Sequence, residues 1–322
     1  MKPALSVVAF TVLSGAGLGA LSLLALAELA GMLGAPALTR ATLLRGATIA
    51  LALVVFGLAS SAFHLGNPRN AWKSLARLRT SWLSREAASS MVLLGIASLW
   101  LVATARDLAS VVRLPLAIAV VVLSCLTLYF TAMIYASLKP IRQWNTPRVP
   151  MSYAALGHAS GALLVVALLR AHDESSFGFA IVAGALLAAA AVVKLDYYAY
   201  IAGDIRRMTI EQAIGVAQGV GPPGAHASRM QARLLDVGHS RGTFLTHEFG
   251  YTLRAGQRTS LRLLVWIAGF VVPALWLLAG LDDAEAAALA MGTCLLGIGA
   301  ERWLFFAEAR HTVRLYHGDR ST

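Results

Sequence analysis

Charged side chains are scarce in this sequence. Only 13% of its 322 residues are Asp, Glu, Lys or Arg, about half of the ~25% that soluble domains carry. Hydrophobic residues make up 58% of the chain, and its mean hydropathy is +0.68. This composition excludes an ordinary soluble domain and indicates an integral membrane protein.

Cysteine is almost absent as well. The sequence has two cysteines, Cys125 and Cys294, and each lies alone within an apolar segment. Zinc and iron–sulfur sites require several Cys or His residues at close spacing, and disulfide frameworks require paired cysteines. The sequence therefore predicts no metal site, no cluster ligation and no disulfide in this protein.

Long apolar segments dominate what is present. A segment of about 20 apolar residues can cross the hydrocarbon core of a bilayer as a helix. Eight such segments run from Ala4 to Leu33, Leu43 to Leu65, Ala87 to Ala105, Leu114 to Leu138, Met151 to Leu169, Phe177 to Ile201, Leu261 to Gly280 and Ala284 to Ala307. A barrel would instead show shorter segments of alternating hydrophobicity. The predicted fold is an all-α polytopic membrane helix bundle with eight transmembrane helices, one domain over residues 1–322 with a long polar loop at about 203–260.

The first segment has some features of a signal peptide, since Lys2 precedes it and Ala25-Leu26-Ala27 resembles a cleavage site. Its apolar run is longer than the roughly 7 to 15 residues of a signal-peptide core, so we expect a retained helix. Gly15 and Gly19 give this helix a face of small residues. Such a face predicts close packing against another helix.

Most of the 27 lysines and arginines fall on one side of the predicted topology. That side holds both termini and the loops that follow the second, fourth and sixth spans. The positive-inside rule makes it cytoplasmic, which predicts a multi-pass protein of a bacterial inner membrane with both termini in the cytoplasm. The net charge of +11 follows this asymmetry, so we expect contact with membrane lipid and none with nucleic acid.

A histidine and a glutamate stand at the two ends of one basic loop, which reads FHLGNPRNAWKSLARLRTSWLSRE from Phe63 to Glu86. His64 closes the second apolar run and Glu86 opens the third, so we expect both near the same membrane face. An imidazole and a carboxylate at such a boundary can exchange protons near neutral pH, which suits a quinone headgroup. The alternatives are that His64 caps its helix and that Glu86 belongs to a helix-start signal.

Other ionisable residues within or near the spans are further candidates, because such groups are costly in lipid. Arg69 lies in the basic loop, and we expect His158 in the fifth span and Lys194 in the sixth at the depth of His64. The alternative for Lys194 is that it snorkels to the interface. His64 and His158 would suffice in principle as axial haem ligands. A typical dihaem bundle, however, needs histidines at both membrane depths, and the sequence does not supply both sets. We therefore predict no haem.

Charged residues also occur near the end of the last span. Glu301 and Arg302, with Glu308 and Arg310 beyond, are expected to pair at helical spacing and to anchor the interfacial end. Glu28 in the first span has no partner that the sequence identifies.

Four strings together resemble the DmsC-type membrane anchor subunit of dimethyl sulfoxide reductase and its relatives. They are the Phe63 to Glu86 stretch, Trp144-Asn145-Thr146-Pro147, THEFGY from Thr246 to Tyr251, and RWLFFAEARH from Arg302 to His311. The resemblance spans nearly the whole chain. It implies a non-catalytic anchor that works without haem, binds ubiquinone or menaquinone, and holds two partners. These are a four-cluster, ferredoxin-like iron–sulfur subunit and a molybdopterin catalytic subunit, which carry the clusters and the molybdopterin. His64 and Glu86 match the positions that this family associates with the quinone site.

The charge asymmetry places those partners in the cytoplasm, which departs from the dimethyl sulfoxide reductase pattern. We therefore expect the anchor of a cytoplasm-facing, sulfite-oxidising and quinone-reducing complex. The alternatives within the family are a menaquinol-oxidising anchor of a terminal reductase and an anchor for an acyl-CoA-oxidising molybdoenzyme. A secondary transporter is the alternative from another class, although transporters commonly show internal repeats and none is evident here.

Overall fold

The computed structural model describes residues 2–63, 68–203, 209–213, 251, 253–281, 283–317, 319 and 322. Within these ranges the protein is an all-α bundle with eight helices that are long and apolar enough to cross a membrane. They are α1 (Leu5–Met32), α2 (Arg40–Ala62), α3 (Trp82–Ala105), α4 (Ser110–Ala136), α5 (Arg148–Arg170), α6 (Phe177–Gly203), α7 (Ala255–Ala279) and α8 (Ala284–Ala307). The predicted fold class and number of spans are confirmed.

The C-termini of α2, α4, α6 and α8 lie at one end of the bundle, called here the basic face; the other end is the opposite face. Two short 3₁₀ segments, Pro68–Arg77 and Thr312–His317, belong to the basic face. The segment after α8 packs on the α4–α5 connection, since Thr312 N donates to Pro140 O at 3.3 Å. These contacts bring distant parts of the sequence together at this face.

The helix α7 begins at Ala255, six residues before the predicted Leu261. Its extra residues include Arg258, which pairs with Glu308 at 3.1 Å. Arg262, one turn further on, pairs with the same carboxylate at 2.9 Å. Charged groups are tolerated at such a helix end because their stems lie along the bundle while their charges remain near water. The polar loop is therefore shorter than predicted, and residues 204–208 and 214–250 of it lie outside the described residues.

The helices α1 and α5 form the centre of the bundle. The helix α1 packs most extensively against α2 and α5 and also contacts α4 and α8. One apolar cluster joins α1, α2, α3, α4 and α5, and a second one joins α5, α6, α7 and α8 with the basic-face ends of α1 and α4. Large apolar side chains such as Phe56 and Leu278 point outward and are exposed, as expected for surfaces that contact lipid.

Glycines let α1 and α5 touch backbone to backbone. A Cβ atom on Gly19 would lie 2.0 Å from Gly157 O, and one on Gly161 would lie 2.3 Å from Ala20 N. The small-residue face predicted for α1 therefore packs as expected, and its partner is a matching pair of glycines on α5. Close backbone approach is a common basis of helix association in membranes, where lipid removes the hydrophobic driving force.

The helix α7 contains a π-helical stretch, Ile267–Val271. Pro273 follows it and has no N–H group, so the regular bond to Gly269 O cannot form. The Cys294 thiol on α8 donates to this carbonyl at 3.9 Å. At the same level a Cβ atom on Gly297 would lie 2.2 Å from Gly269 N. The irregular turn thus coincides with the closest approach of α7 and α8.

Candidate functional site

The start of α3 places Glu86 inside the bundle. The helix begins at Trp82, whereas hydropathy predicted a start at Ala87, and the Ser81 hydroxyl caps it by accepting a bond from Ser84 N at 3.3 Å. Arg85 points outward and donates to backbone carbonyls of the preceding turn at 2.8 Å and 2.9 Å. Glu86 faces the other way and is only 5% exposed. It therefore belongs to the buried face of α3.

The Glu86 carboxylate stands at the head of a line of buried hydroxyl groups between α3 and α4. Thr131 lies beside the carboxylate and its hydroxyl donates to Thr127 O at 2.9 Å. One turn deeper, the Thr127 hydroxyl donates to Ser89 Oγ at 3.0 Å. Within the described ranges, Glu86 Oε1 and the Ser90 hydroxyl are buried and have no hydrogen-bond partner. Buried polar atoms normally have partners. This site therefore fits a ligand that offers hydrogen-bonding groups.

Two residues predicted for the same site cannot be placed beside Glu86. His64 lies outside the described residues. Arg69 lies in the 3₁₀ segment Pro68–Arg77, but its side chain lies outside the described part of the protein. Their membership of the site stays a prediction.

His158 lies deeper than expected. It stands ten residues into α5, about 15 Å from the basic end, whereas Glu86 lies about 6 Å from the start of α3. Its Nδ1 lies 2.8 Å from Ala154 O, so this nitrogen carries the proton, and its Nε2 lies 3.9 Å from Cys125 Sγ. The structure therefore places His158 near the middle of the span and does not bring it to Glu86.

Lys194 belongs to a buried ionic cluster rather than to the interface. Its ammonium group pairs with Glu301 on α8, which also pairs with the neighbouring Arg302. None of the three side chains is more than 3% exposed. Arg302 also donates to Ser152 Oγ on α5 at 3.4 Å. The expectation that Glu301 and Arg302 anchor the interface is therefore wrong, because both turn into the bundle.

The sequence alone could not show which residues pair within this cluster. Lys194 and Glu301 are 107 positions apart, so no helical spacing relates them. The available signal was the presence of three charges several residues inside predicted spans, where unpaired charges are costly. Glu308 likewise pairs with Arg258 and Arg262 of α7, which the sequence did not identify as its partners.

Aromatic rings connect the level of Glu86 with that of the ionic cluster. Tyr135, one turn beyond Thr131 on α4, stacks against Tyr153 with ring centres 5.9 Å apart. The Arg302 guanidinium lies 4.2 Å from the centre of the Tyr153 ring. Trp144 stacks on Phe305 at 5.2 Å and donates to its carbonyl at 3.0 Å. Two of the strings that carry the family resemblance therefore pack against each other at the basic face.

His311 is buried beside Trp144 at this face, with ring centres 5.8 Å apart. Burial, with the Arg314 cation adding to it, lowers the pKa of His311 to about 4. The unfolded protein, with a histidine pKa of about 6.5, therefore binds this proton more readily than the folded protein. The contribution to stability is complete above pH 6.5 and is lost as the pH falls toward 4.

We accordingly expect His311→Gln to reduce the acid destabilisation between pH 6.5 and 4 by about 2 kcal/mol. Thermal unfolding of the detergent-purified protein over this range measures the effect. His172→Gln, which changes an exposed histidine on the opposite face, is the matched control. Identical profiles for His311→Gln and wild type would show that this histidine does not contribute.

At the opposite face Glu28 has partners that the sequence did not reveal. Trp100 Nε1 donates to its carboxylate, and Arg113 Nη1 lies 3.2 Å from it. Glu28 and Arg113 border a cavity of about 270 Å³ together with Thr104. Glu28 on α1 is therefore held by Trp100 of α3 and Arg113 of α4. Trp100 lies near the end of α3, far from Glu86 near its start.

Comparisons with known proteins agree with this architecture. The family model described as DMSO reductase anchor subunit (DmsC) matches residues 1–306. The C subunit of the sulfite dehydrogenase of Allochromatium vinosum is 31% identical over 338 residues, which span 98% of this protein and 99% of the relative. The C polypeptide of the anaerobic dimethyl sulfoxide reductase of Escherichia coli is 31% identical over 162 residues, 50% of this protein and 55% of the relative. No solved structure was found to match the sequence. The chain belongs to the DMSO reductase anchor subunit (DmsC) family.

Proposed function

We propose that this protein is the quinone-binding anchor of a molybdopterin iron–sulfur oxidoreductase and that Glu86 is a ligand of the quinone headgroup. One observation carries the proposal. In an anchor of this family, Glu86 is a buried carboxylate close to the basic face, and its Oε1 has no partner among the described residues. A carboxylate in this state binds a hydroxyl donor well.

The residues around Glu86 fit such a ligand. Bound quinone supplies the two-electron, two-proton chemistry between the membrane pool and the partner subunit. Glu86 Oε1 accepts a hydrogen bond from a ligand hydroxyl and holds or returns its proton. Thr131 lies beside the carboxylate, and the buried Ser90 hydroxyl offers a further contact. His64 and Arg69 are proposed to complete the site from the loop.

Lys194 and His158 have different places in this proposal. Lys194 is engaged in the ion pair with Glu301, so its role is to position α6 against α8. His158 lies in the middle of α5 and contacts Ala154 and Cys125, so it acts at most on the quinone tail. Neither is required to contact the headgroup.

The reaction that we favour is sulfite oxidation coupled to reduction of ubiquinone or menaquinone. The similarity to the sulfite dehydrogenase relative extends over 98% of this protein, whereas that to the dimethyl sulfoxide reductase relative extends over 50%. The proposed partners are a four-cluster iron–sulfur subunit, docked at the basic face, and a molybdopterin catalytic subunit. Menaquinol oxidation by a reductase of the second type is the alternative.

The basic face is proposed to be cytoplasmic in a bacterial inner membrane. Arg77, Arg85, Lys139 and Arg142 lie at this face, and positive residues favour the cytoplasmic side. A reporter enzyme that works only in the cytoplasm is expected to be active when it is fused to the C-terminus. A periplasmic C-terminus would contradict this orientation and the location of the partners.

Glu86→Gln tests the quinone site in the purified complex. We expect iron and molybdenum contents and dye-linked sulfite oxidation to stay unchanged, while quinone-linked turnover falls about 100-fold, because the variant keeps the shape but loses the proton acceptor. Glu285→Gln, an exposed change on the opposite face, is the matched control. Unchanged quinone turnover in Glu86→Gln would assign this carboxylate a structural role. If no iron or molybdenum subunits co-purify with wild type, the anchor proposal fails and the transporter alternative gains support.

A further inference from the structure

A deep groove runs between α6 and α7 from the opposite face toward the middle of the bundle. Its volume is about 1190 Å³. Small and apolar side chains form its walls, among them Ile181, Gly184 and Ala188 on α6 and Phe270 and Leu277 on α7. A Cβ atom on Gly184 would meet nothing within 4 Å, so the two helices do not close on each other at this level.

The length of the groove fits one leaflet of a bilayer. It extends along α6 from Phe177 to Ala191, which corresponds to about 21 Å of helix. Half of the hydrocarbon core of a bilayer measures about 15 Å. An acyl chain that enters with its headgroup at the opposite face is therefore covered along its whole length.

The mouth of the groove carries negative charge. Asp173 and Glu174 line it, and Asp173 is exposed. Glu174 accepts a bond from the Thr39 hydroxyl at 2.7 Å and another from Thr42. Although partial burial acts to raise it, these bonds lower the pKa of Glu174 below its usual value. Glu174 is therefore ionised at neutral pH.

The arginine at the mouth is engaged with the protein itself. Arg170 donates to Leu281 O at 3.0 Å and to Trp276 O at 3.3 Å, and its guanidinium lies 4.4 Å from the centre of the Trp276 ring. These carbonyls belong to the end of α7 and the residues after it. The cation thus fixes the end of α7 and balances carbonyl dipoles, which leaves the carboxylates to set the charge that a ligand meets.

The N-terminus of α6 also lies at the mouth. Ala180 N donates to Ser176 O at 2.8 Å, the first backbone bond of the helix. The preceding N–H groups have no acceptor within the helix, and the helix dipole adds positive potential there. A phosphate group is favoured at such a helix end. The mouth therefore offers a positive and a negative subsite side by side.

We propose that this groove binds a phospholipid with a primary ammonium headgroup, such as phosphatidylethanolamine. One acyl chain fills the apolar groove, the phosphate meets the N-terminus of α6, and the ammonium group pairs with Asp173 and Glu174. A lipid with a net negative headgroup would bring its charge beside the two carboxylates and is disfavoured. The bound lipid completes the packing between α6 and α7, and the proposal does not depend on the quinone site.

Ala188→Trp fills the groove and tests the apolar part of the site. Ala189→Trp is the matched control, because Ala189 is an exposed residue on the same helix that lies outside the groove walls. Lipid extracted from the detergent-purified complex is quantified per protein by mass spectrometry. We expect wild type and Ala189→Trp to retain about one more phosphatidylethanolamine than Ala188→Trp. Equal retention in all three proteins would overturn the proposal, as would recovery of quinone in place of phospholipid.

The double variant Asp173→Asn with Glu174→Gln tests the headgroup. Asparagine accepts the positive φ of 55° at position 173 as readily as aspartate does, and glutamine keeps an oxygen for Thr39. Binding is measured in nanodiscs with mixed phosphatidylethanolamine and phosphatidylglycerol. We expect the preference for the ammonium lipid to fall about tenfold, or ~1.4 kcal/mol, while Glu285→Gln keeps it. A wild-type protein without any preference would refute the charge-based selection.

Discussion

Glu301→Gln is expected to prevent accumulation of folded protein, whereas Lys194→Met should be tolerated. Glu301 is the single carboxylate that faces both Lys194 and Arg302 in the described part of the cluster. Its loss leaves two cations in a site with almost no water. Breaking a buried ion pair by removal of one partner costs about 3–5 kcal/mol, and the repulsion between the remaining cations adds to this cost.

Lys194→Met differs because the remaining charges cancel. Glu301 and Arg302 still form an ion pair, and methionine fills the space between Tyr197 and Tyr198, whose rings the ammonium group now contacts at 4.1 Å and 4.8 Å. Replacing buried charges by apolar groups of similar volume is often nearly neutral. We expect a loss of about 1 kcal/mol.

The two variants are compared by the yield of monodisperse protein and by thermal unfolding in detergent. The control is Asp196→Asn on α6, which removes an exposed carboxylate that Arg148 binds at 2.7 Å; such surface pairs contribute at most about 1 kcal/mol. If Glu301→Gln and Lys194→Met proved equally stable, the balance of charge in the cluster would not be what stabilises it.

The ionic cluster joins the parts of the bundle that the proposed function requires to be rigid. It connects α6 and α8 through Lys194 and Glu301 and reaches α5 through Ser152. The same region carries the stacked Trp144 and Phe305 rings at the basic face. Under the proposed function, a partner subunit at this face would meet a surface that these contacts make rigid.

The number of spans followed from the sequence because each one is a long local run of apolar residues. The helix ends were less well predicted. The extra residues at the start of α3 include Trp82 and Arg85, whose guanidinium lies 4.2 Å from the centre of the indole ring. Hydropathy scores such residues as polar loop, yet paired and amphipathic side chains extend a helix into the interface. Glu86, which the sequence placed at the end of the loop, consequently lies on the buried face of α3.

Side-chain partners that are distant in the sequence could not be predicted, for a different reason. Glu28 is 72 positions from Trp100 and 85 from Arg113, and helical periodicity relates only residues within a few turns. The sequence made Glu86 a candidate because of its place at the end of a basic loop. It had no means to identify the hydroxyl groups of α4, which depend on how α3 and α4 pack.

The glycine contact between α1 and α5 gives the second large effect. Gly161→Leu is expected to abolish folding, and even Gly161→Ala should cost about 3 kcal/mol or more. The added Cβ atom would meet Ala20 N at 2.3 Å and the carbonyl carbon of Gly19 at 2.4 Å. Both are backbone atoms, so no flexible side chain can move aside, and the two central helices must separate.

Gly95 on α3 provides the matched control, because a Cβ atom there would meet nothing within 4 Å. Alanine is favoured over glycine within helices by about 0.5–1 kcal/mol, so Gly95→Ala should equal or slightly exceed wild type in thermal stability. Comparison of both alanine variants in the same detergent separates the packing effect from helix propensity. A Gly161→Ala protein as stable as Gly95→Ala would mean that α1 and α5 are not held together by this backbone contact.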